Sequence, residues 1–296
     1  MNFSLGIDIG GTSVKAAAVV GGIGRLTERR TYSAPGAAVS LPTISEALRA
    51  ACLPLISRYG PPATVGLCLP GLFDKQQRRI TRSVNLPALV DAPVDALIAH
   101  ALEMVPAPSI FTDAHAAAFD AWTLEASEAP EGSGRWFMIS IGTGVGACVL
   151  DDGELLRVSG DSPGHFGQLD VSNPADAPPP IGPDGGRGSL EGYIGVPALC
   201  AGHGCAPGDA AAALSTDQPA LRALARALRI AHAIYRPNHV RLLGGLGIRL
   251  AGARERLEAL VNDQLTSVAR QGWTLGFGST DFHAATGSAK LASRIG

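Results

Sequence analysis

The chain has 296 residues, 46% of them hydrophobic and 17% charged, with a formal net charge of −2 and a pI near 6.4. That length can bury a sizeable core and favours two domains. The near-neutral balance offers no basic field for a nucleic-acid backbone, and the cationic side chains are scattered apart from the Arg29-Arg30 and Arg78-Arg79 pairs, so no nucleic-acid partner is expected. The first apolar run lacks a basic flank and breaks at Asp8 and Gly10, and no later run is long enough to span a bilayer. A cytoplasmic protein with no membrane partner is expected.

The first element, Leu5 to Val19 (LGIDIGGTSVKAAAV), reads as two strands joined by a Gly-Gly-Thr turn. Gly10 and Gly11 lack the Cβ that would keep a phosphate oxygen from the backbone N–H groups, and Thr12 adds a hydroxyl donor. Asp8, closing the first strand, is placed to face a phosphate-bound magnesium ion. Lys15 on the outgoing strand suits either a phosphate contact or a solvated face. The ordinary alternative for the segment is a β-hairpin with a glycine bulge.

Apolar spacing then predicts a helix over Thr43 to Tyr59, stopped by Gly60-Pro61-Pro62, a buried strand over Thr64 to Leu69, a helix over Asp91 to Met104 and a short strand over Ser109 to Thr112. Asp113 stands at that strand end, directly before an alanine-rich helix from Ala114 to Ala126. Such alternation predicts a largely parallel sheet with covered faces. Ala129 to Arg135 reads as a loop. Trp136 to Val149 (WFMISIGTGVGACV) repeats the opening pattern, with Gly142, Thr143 and Gly144 in the turn and Gly142 aligned on Gly10, so two like domains gripping one nucleotide are expected.

From Arg157 to Gly188 the chain is loop-rich, as the wall of a substrate cleft would be. Helices are predicted at Ser189 to Cys200 and Ala220 to Tyr235, then a strand at Val240 to Leu243 running into Gly244-Gly245, a helix around Arg249 to Ala269 and a closing helix at Phe282 to Ser293. Five cysteines, an odd and dispersed set, indicate reduced thiols. Cys52, Cys68 and Cys148 lie in apolar runs and read as core. Cys200, His203 and Cys205 are close in sequence, but their irregular spacing favours a loop with stray thiols over a zinc site.

These strings resemble the ROK family of bacterial sugar kinases, within the sugar kinase, hexokinase and actin superfamily. GIDIGGTSVKAA resembles its first phosphate motif, VGLCLPGLFD its second strand and turn, SVNLP its sugar-contacting loop, FTDAHAAAFDAW its catalytic acid and following helix, ISIGTGVGACV its second phosphate motif, and LLGGLG its adenosine-binding turn. The resemblance implies an α/β, two-domain actin-like ATPase (ribonuclease H-like) fold with the active site in the interdomain cleft. The expected domains are residues 1–112, completed by the C-terminal helix 282–296, and residues 113–281. It also implies ATP and Mg²⁺ as cofactors, a small-molecule sugar or polyol as substrate, and a homodimer.

Departures from the family pattern fall in the wall. GHFGQLDV places His165 and Gln168 where the family carries glutamate and histidine, and GPDGGRGSLEGY places Gly182, Asp184 and Ser189 at the thiolate positions of its zinc motif. No structural zinc is therefore expected. Glu191 matches the family's sugar-binding glutamate, Thr112 replaces the asparagine before the catalytic acid, and Asn85 in SVNLP is a further sugar contact.

Phosphoryl transfer to an alcohol requires a proton acceptor, and Asp113 fits that role, the ordinary alternative being a helix N-cap. Asp8 is expected to hold Mg²⁺ through water. Thr12 and Thr143 would hold phosphate oxygens, Gly244 and Gly245 would admit the adenosine, and Thr112, His165, Gln168, Glu191 and Asn85 would address the sugar. Replacing a carboxylate and an imidazole by His165 and Gln168 predicts poor use of glucose and N-acetylated hexosamines. The alternative is a catalytically silent sugar-binding regulatory protein of the same fold. The sugar-responsive repressors of the family carry a DNA-binding segment ahead of the first glycine motif, which here begins at Gly6.

Overall fold

A computed structural model of the chain describes residues 2–32, 39–74, 76–83, 85–103, 105–126, 134–158, 164–174, 178–183, 185–216 and 218–295. The first elements are β1 (Ser4–Ile9), β2 (Ser13–Val20), β3 (Ile23–Thr31), α1 (Leu41–Tyr59), β4 (Thr64–Cys68), β5 (Leu72–Asp74), β6 (Arg79–Arg82), α2 (Val94–Ala101), β7 (Ser109–Phe111) and α3 (Asp113–Ala126). There follow β8 (Arg135–Ile141), β9 (Val145–Asp151), β10 (Glu154–Leu155), α4 (Leu190–Ile194), α5 (Val196–His203), α6 (Ala210–Thr216), α7 (Gln218–Tyr235) and β11 (His239–Leu243). The last are α8 (Gly244–Gly247), α9 (Arg254–Asn262), β12 (Thr274–Phe277) and α10 (His283–Ile295). The chain divides into two compact units, residues 1–120 with 282–296 and residues 121–281, so the division falls inside α3.

In the first unit a five-stranded sheet runs in the order β3-β2-β1-β4-β7. The β1/β2 and β2/β3 pairs are antiparallel, and the β1/β4 and β4/β7 pairs parallel. The second unit repeats the plan as β10-β9-β8-β11-β12, again with two antiparallel pairs followed by two parallel ones. The largely parallel sheet predicted from the alternation is thus corrected to a mixed one. The Gly10 and Gly142 turns join adjacent antiparallel strands, β3 and β10 extend those pairs, and only β4, β7, β11 and β12 return through crossovers.

Beneath the first sheet lies a core of Phe3, Leu5, Ile7, Ile44, Leu48 and Leu55 among others, and the second sheet is covered by α7, whose Leu224 and Leu228 are buried in its core. Helix α1 begins two residues earlier than predicted because Ser40 Oγ accepts the Thr43 N–H and Pro42 sits in its first turn. Three other expectations are corrected. Asp91 has φ +60 and Pro93 is the N-cap of α2, so that helix is confined to Val94–Ala101. The helix predicted over Ser189 to Cys200 is broken at the extended Gly195 into α4 and α5, with Pro197 in the first turn of the second. The helix predicted around Arg249 to Ala269 is a 3-10 stretch followed by the shorter α9.

Helix α10 belongs to the first unit, although it closes the chain. Its small residues let it approach bare backbone: a Cβ on Gly6 would lie 1.8 Å from the Ala285 carbonyl oxygen, and one on Gly66 2.0 Å from that of Ser288. It is also tied to α3 by charge. Buried Asp120 meets Lys290 Nζ at 2.6 Å through one carboxylate oxygen and His283 Nδ1 at 2.6 Å through the other.

Candidate active site

In the first unit, Asp8 is the last residue but one of buried β1 and pairs in register with Lys15 of β2, so both side chains stand on one face of the sheet. Lys15 Nζ lies 3.6 Å from Asp8 Oδ2, which directs the lysine at the carboxylate instead of into solvent. The turn they flank, Gly10-Gly11-Thr12, is closed by Gly10 N–H to Ser13 O at 2.9 Å and leaves Thr12 exposed. Tyr32 props it from behind. Its N–H donates to Thr12 O at 3.0 Å and its hydroxyl to Gly10 O at 3.2 Å, and burial together with the Asp8 charge pushes its phenol pKa up. Tyr32 carries no signal in the sequence, because β3, the strand that delivers it, is polar and lacks apolar periodicity.

Asp113 opens α3 beside the end of β7. The capping position is filled by its neighbour: Thr112 Oγ1 accepts the His115 N–H at 3.3 Å, and Thr112 O accepts that of Ala116 at 3.0 Å. The Asp113 carboxylate accepts the Ala114 N–H at 2.7 Å and keeps accessible surface. Crowding by surrounding protein raises its pKa above the ordinary carboxylate value and the Asp8 charge adds to the rise, while Ala114 N–H and Lys15 act against it. Asn85 is exposed in its turn, with Ser83 Oγ beside it accepting the Leu86 N–H at 3.1 Å.

In the second unit, Gly142-Thr143-Gly144 joins β8 to β9, closed by Gly142 N–H to Gly144 O at 2.9 Å. Gly142 O accepts the Val196 N–H at 3.0 Å, so the turn rests on the start of α5. Glu191 on α4 braces its other side, Oε2 accepting the Val145 N–H at 2.8 Å. The 3-10 turn Phe166–Gln168 packs against the same place, since a Cβ on Gly167 would lie 2.3 Å from Val145 O and 3.2 Å from Glu191 Oε2. His165 at its entrance is exposed, and Gln168 is half-buried with Oε1 3.2 Å from where a Gly186 Cβ would be. The loop-rich stretch is therefore partly ordered by backbone pairing, with bridges Asp170 to Ser189 and Ile181 to Arg187.

Gly182 and Ser189 come together, the Ser189 hydroxyl lying 2.1 Å from where a Gly182 Cβ would be, and Gly182 N–H to Gly186 O at 2.8 Å folds the segment into a tight turn. Asp184 lies outside the described residues. Among the described residues no group of three or more His, Cys, Asp or Glu is arranged to hold a metal ion. The loop expected around Cys200 is corrected: Cys200 and His203 are helical residues of α5, and Cys205 follows its end.

The glycines of the turns differ in what requires them. Gly244 has φ +78, and a Cβ there would meet Ile141 O at 2.6 Å, so backbone and packing both demand it. At Gly142 and Gly245 a Cβ would meet nothing within 4 Å, and neither has a positive φ. Arg249, which no sequence motif marks, holds the Gly244-Gly245 turn, its Nε donating to Gly245 O at 2.6 Å and its Nη1 to Gly208 O at 3.2 Å.

The family model described as ROK family matches residues 4–295. N-acetylmannosamine kinase of Escherichia coli O139:H28 is 31% identical over 166 residues, 55% of this chain and 53% of that protein. The chain thus spans about half the length of the curated relatives it matches. Among solved structures, a ROK family glucokinase from Streptomyces griseus in complex with glucose and AMPPNP superposes with a TM-score of 0.77 at 17% identity, covering 99% of this chain and 100% of that one. A ROK hexokinase from Thermus thermophilus gives 0.69 at 21% identity, with 99% and 98% covered. These likenesses carry the actin-like α/β fold.

Proposed function

The chain belongs to the ROK family, and from that premise we propose that it transfers the γ-phosphoryl group of ATP to a hydroxyl of a sugar or sugar-like polyol, with Asp113 as general base. The observation that carries this reading is the Asp113 carboxylate: its neighbour Thr112 caps the helix, leaving the acid accessible and within the field of Asp8 on the first glycine turn. A carboxylate with a raised pKa is a better proton acceptor for an alcohol.

The sugar hydroxyl oxygen attacks the γ-phosphorus, the bond to the bridging oxygen of the departing diphosphate breaks, and the hydroxyl proton passes to Asp113. Backbone N–H groups of Gly10-Gly11-Thr12 and Gly142-Thr143-Gly144, with the Thr12 and Thr143 hydroxyls, take the phosphate oxygens. Open space at Gly142 and Gly245 suits a nucleotide approaching bare backbone, phosphates at the first and adenosine at the second. Gly244 shapes that second turn.

Asp8 suits Mg²⁺ held through water, being a single carboxylate already balanced by Lys15 at 3.6 Å. Bound there, the ion supplies neutralisation of phosphate charge. Lys15 completes the positive field. Glu191 supports a sugar site because its carboxylate stands between the Phe166–Gln168 turn and the second glycine turn. His165, Gln168, Asn85 and Thr112 are the remaining proposed contributors, Thr112 through its cap on α3. With Gly182, Asp184 and Ser189 at the thiolate positions of the family's zinc motif and Gln168 at its histidine position, we expect chelator-washed protein to carry no tight zinc by elemental analysis.

An ADP-release screen across aldoses, ketoses, amino sugars and polyols tests the reading. We expect one less common sugar or polyol to be preferred over glucose and N-acetylated hexosamines. Sugar binding by calorimetry with no ADP release from any compound would instead make the chain a silent sugar-binding protein.

A further inference from the structure

Cys200 and Cys205 stand on either side of the end of α5. Gly204 there is left-handed, with φ +62, and its N–H and that of Cys205, the latter at 3.2 Å, both return to Cys200 O. This return from the second residue past a helix end to the third before it brings those two side chains into contact, ordinarily as an apolar pair. Here both are cysteine. Their sulfurs lie 3.9 Å apart, the Cys205 thiol donating to Cys200 Sγ, and both residues are partly accessible. The other cysteines cannot compete: Cys52, Cys68 and Cys148 are buried, and the Cys68 thiol is also turned to the Thr112 and Ala284 carbonyls. Among the described residues no further His, Cys, Asp or Glu joins the pair into a metal-binding group, which leaves thiol chemistry.

We propose that Cys200 and Cys205 are a dithiol modification site, which a small-molecule disulfide converts to an intrachain disulfide, and that this bond bears on the Gly244-Gly245 turn. One cysteine thiolate attacks a sulfur of the reagent, whose S–S bond breaks, and the released thiolate takes the proton. The second thiolate then attacks the protein sulfur of the mixed disulfide and displaces the other half of the reagent, which takes the second proton. Two protein thiols are oxidised and the reagent is reduced to two thiols. Burial and contact with Cys205 push the Cys200 thiol up, so the exchange is faster in mildly alkaline solution.

Closing the sulfurs from 3.9 Å to about 2.05 Å displaces the side that is not helical, namely Cys205 and the 3-10 turn Pro207–Asp209 that follows. Gly208 O in that turn accepts from Arg249, whose Nε also holds Gly245 O, so two hydrogen bonds connect the dithiol segment to the Gly244-Gly245 turn. The effect on nucleotide affinity rests on the reading of that turn as the adenosine site, whereas the disulfide does not.

Reduced protein is incubated with glutathione disulfide and its intact mass, peptide map and dissociation constant for ATP are measured. We expect a loss of about 2 Da, a peptide linking Cys200 to Cys205, and an ATP dissociation constant raised about fivefold, all reversed by dithiothreitol. Cys205→Ser stops at a glutathione adduct on Cys200 and keeps the ATP affinity of the reduced protein. Persistent glutathione adducts on the unaltered chain, no reaction, or a Cys200–Cys205 bond that leaves ATP affinity unchanged would each overturn the proposal. Reduced protein that binds no ATP would refute the nucleotide reading separately, and the peptide map would then decide the dithiol site alone.

Discussion

Glu191 Oε2 accepts the Val145 N–H at 2.8 Å, so the carboxylate assigned to the sugar also fixes the first residue after the second glycine turn. Removing a part-buried acceptor leaves that N–H unpaired, at a cost of about 1–3 kcal/mol, or roughly one to two decades of affinity. Glu191→Ala is therefore expected to weaken ATP as well as sugar, while Glu191→Gln, which keeps a carbonyl oxygen for Val145, restores ATP more than sugar. Titration of each ligand separately checks this. A variant impaired for sugar alone would detach Glu191 from the turn.

Asp113→Asn is expected to lower turnover by at least about two orders of magnitude with ATP affinity unchanged, because proton acceptance is lost and both glycine turns remain. Thr112 supplies the cap of α3, so the variant should melt no lower than the parent. Steady-state kinetics paired with a thermal melt separate the two roles, and a melt lowered in step with activity would return Asp113 to helix capping.

The pH dependence follows from the raised Asp113 pKa. The general base proposed at Asp113 would work only when ionised, so kcat is expected to fall as the pH drops through the raised pKa. Because Asp8 contributes to the rise, Asp8→Asn should move the acid limb of the remaining activity to lower pH. The sign for stability is opposite to that of a salt-bridged aspartate. The folded chain binds this proton more tightly than the unfolded one, so Asp113 ionisation costs stability as the pH rises from the unfolded value, about 3.9, through the folded one. Asp113→Asn should consequently gain stability relative to the parent as the pH is raised across that interval, measured by urea unfolding at several pH values. A loss across the same interval would reverse the assignment.

Gly142→Ala and Gly245→Ala add a methyl group where nothing lies within 4 Å, whereas Gly244→Ala drives one into Ile141 O at φ +78. The first two should keep the parental melting temperature and lose about tenfold in ATP affinity, equivalent to about 1.4 kcal/mol. The third should destabilise the fold itself. Equal ATP affinity in all of them would remove the nucleotide from these turns.

Asp120 is 1% exposed and is held by Lys290 and His283 of α10. Asp120→Asn leaves a buried ammonium without its counter-charge, and a loss of about 3–5 kcal/mol is expected. Asp120→Asn combined with Lys290→Met should recover part of it. Urea midpoints of the single and double variants test the coupling, and additive losses would show that the pair is not an anchor.

Much of this molecule was legible in its sequence because the signals are local. Glycine turns between β-branched runs, the spacing of Ile44, Leu48, Cys52 and Leu55 on α1, and an acid at the end of a short strand depend on neighbours a few residues away. Polar β3, with only Leu26 and Glu28 escaping full exposure, gave no periodic apolar signal, so the outer strand and the mixed sheet were found only in three dimensions. Helix breaks at Gly195 and after Asp91 turned on backbone angles that propensity does not fix.

What the tertiary structure alone decided is which groups share a partner. Thr112 and Asp113 are adjacent acceptors at one helix start, and in the folded chain the threonine is the cap and the acid stays accessible. Glu191 meets Val145, Asp120 meets His283 and Lys290, and Arg249 meets Gly208 across long stretches of chain. Composition determined that such buried polar groups need partners, because an unpaired one costs free energy. Only the fold, by closing those loops, selected which partner each one has.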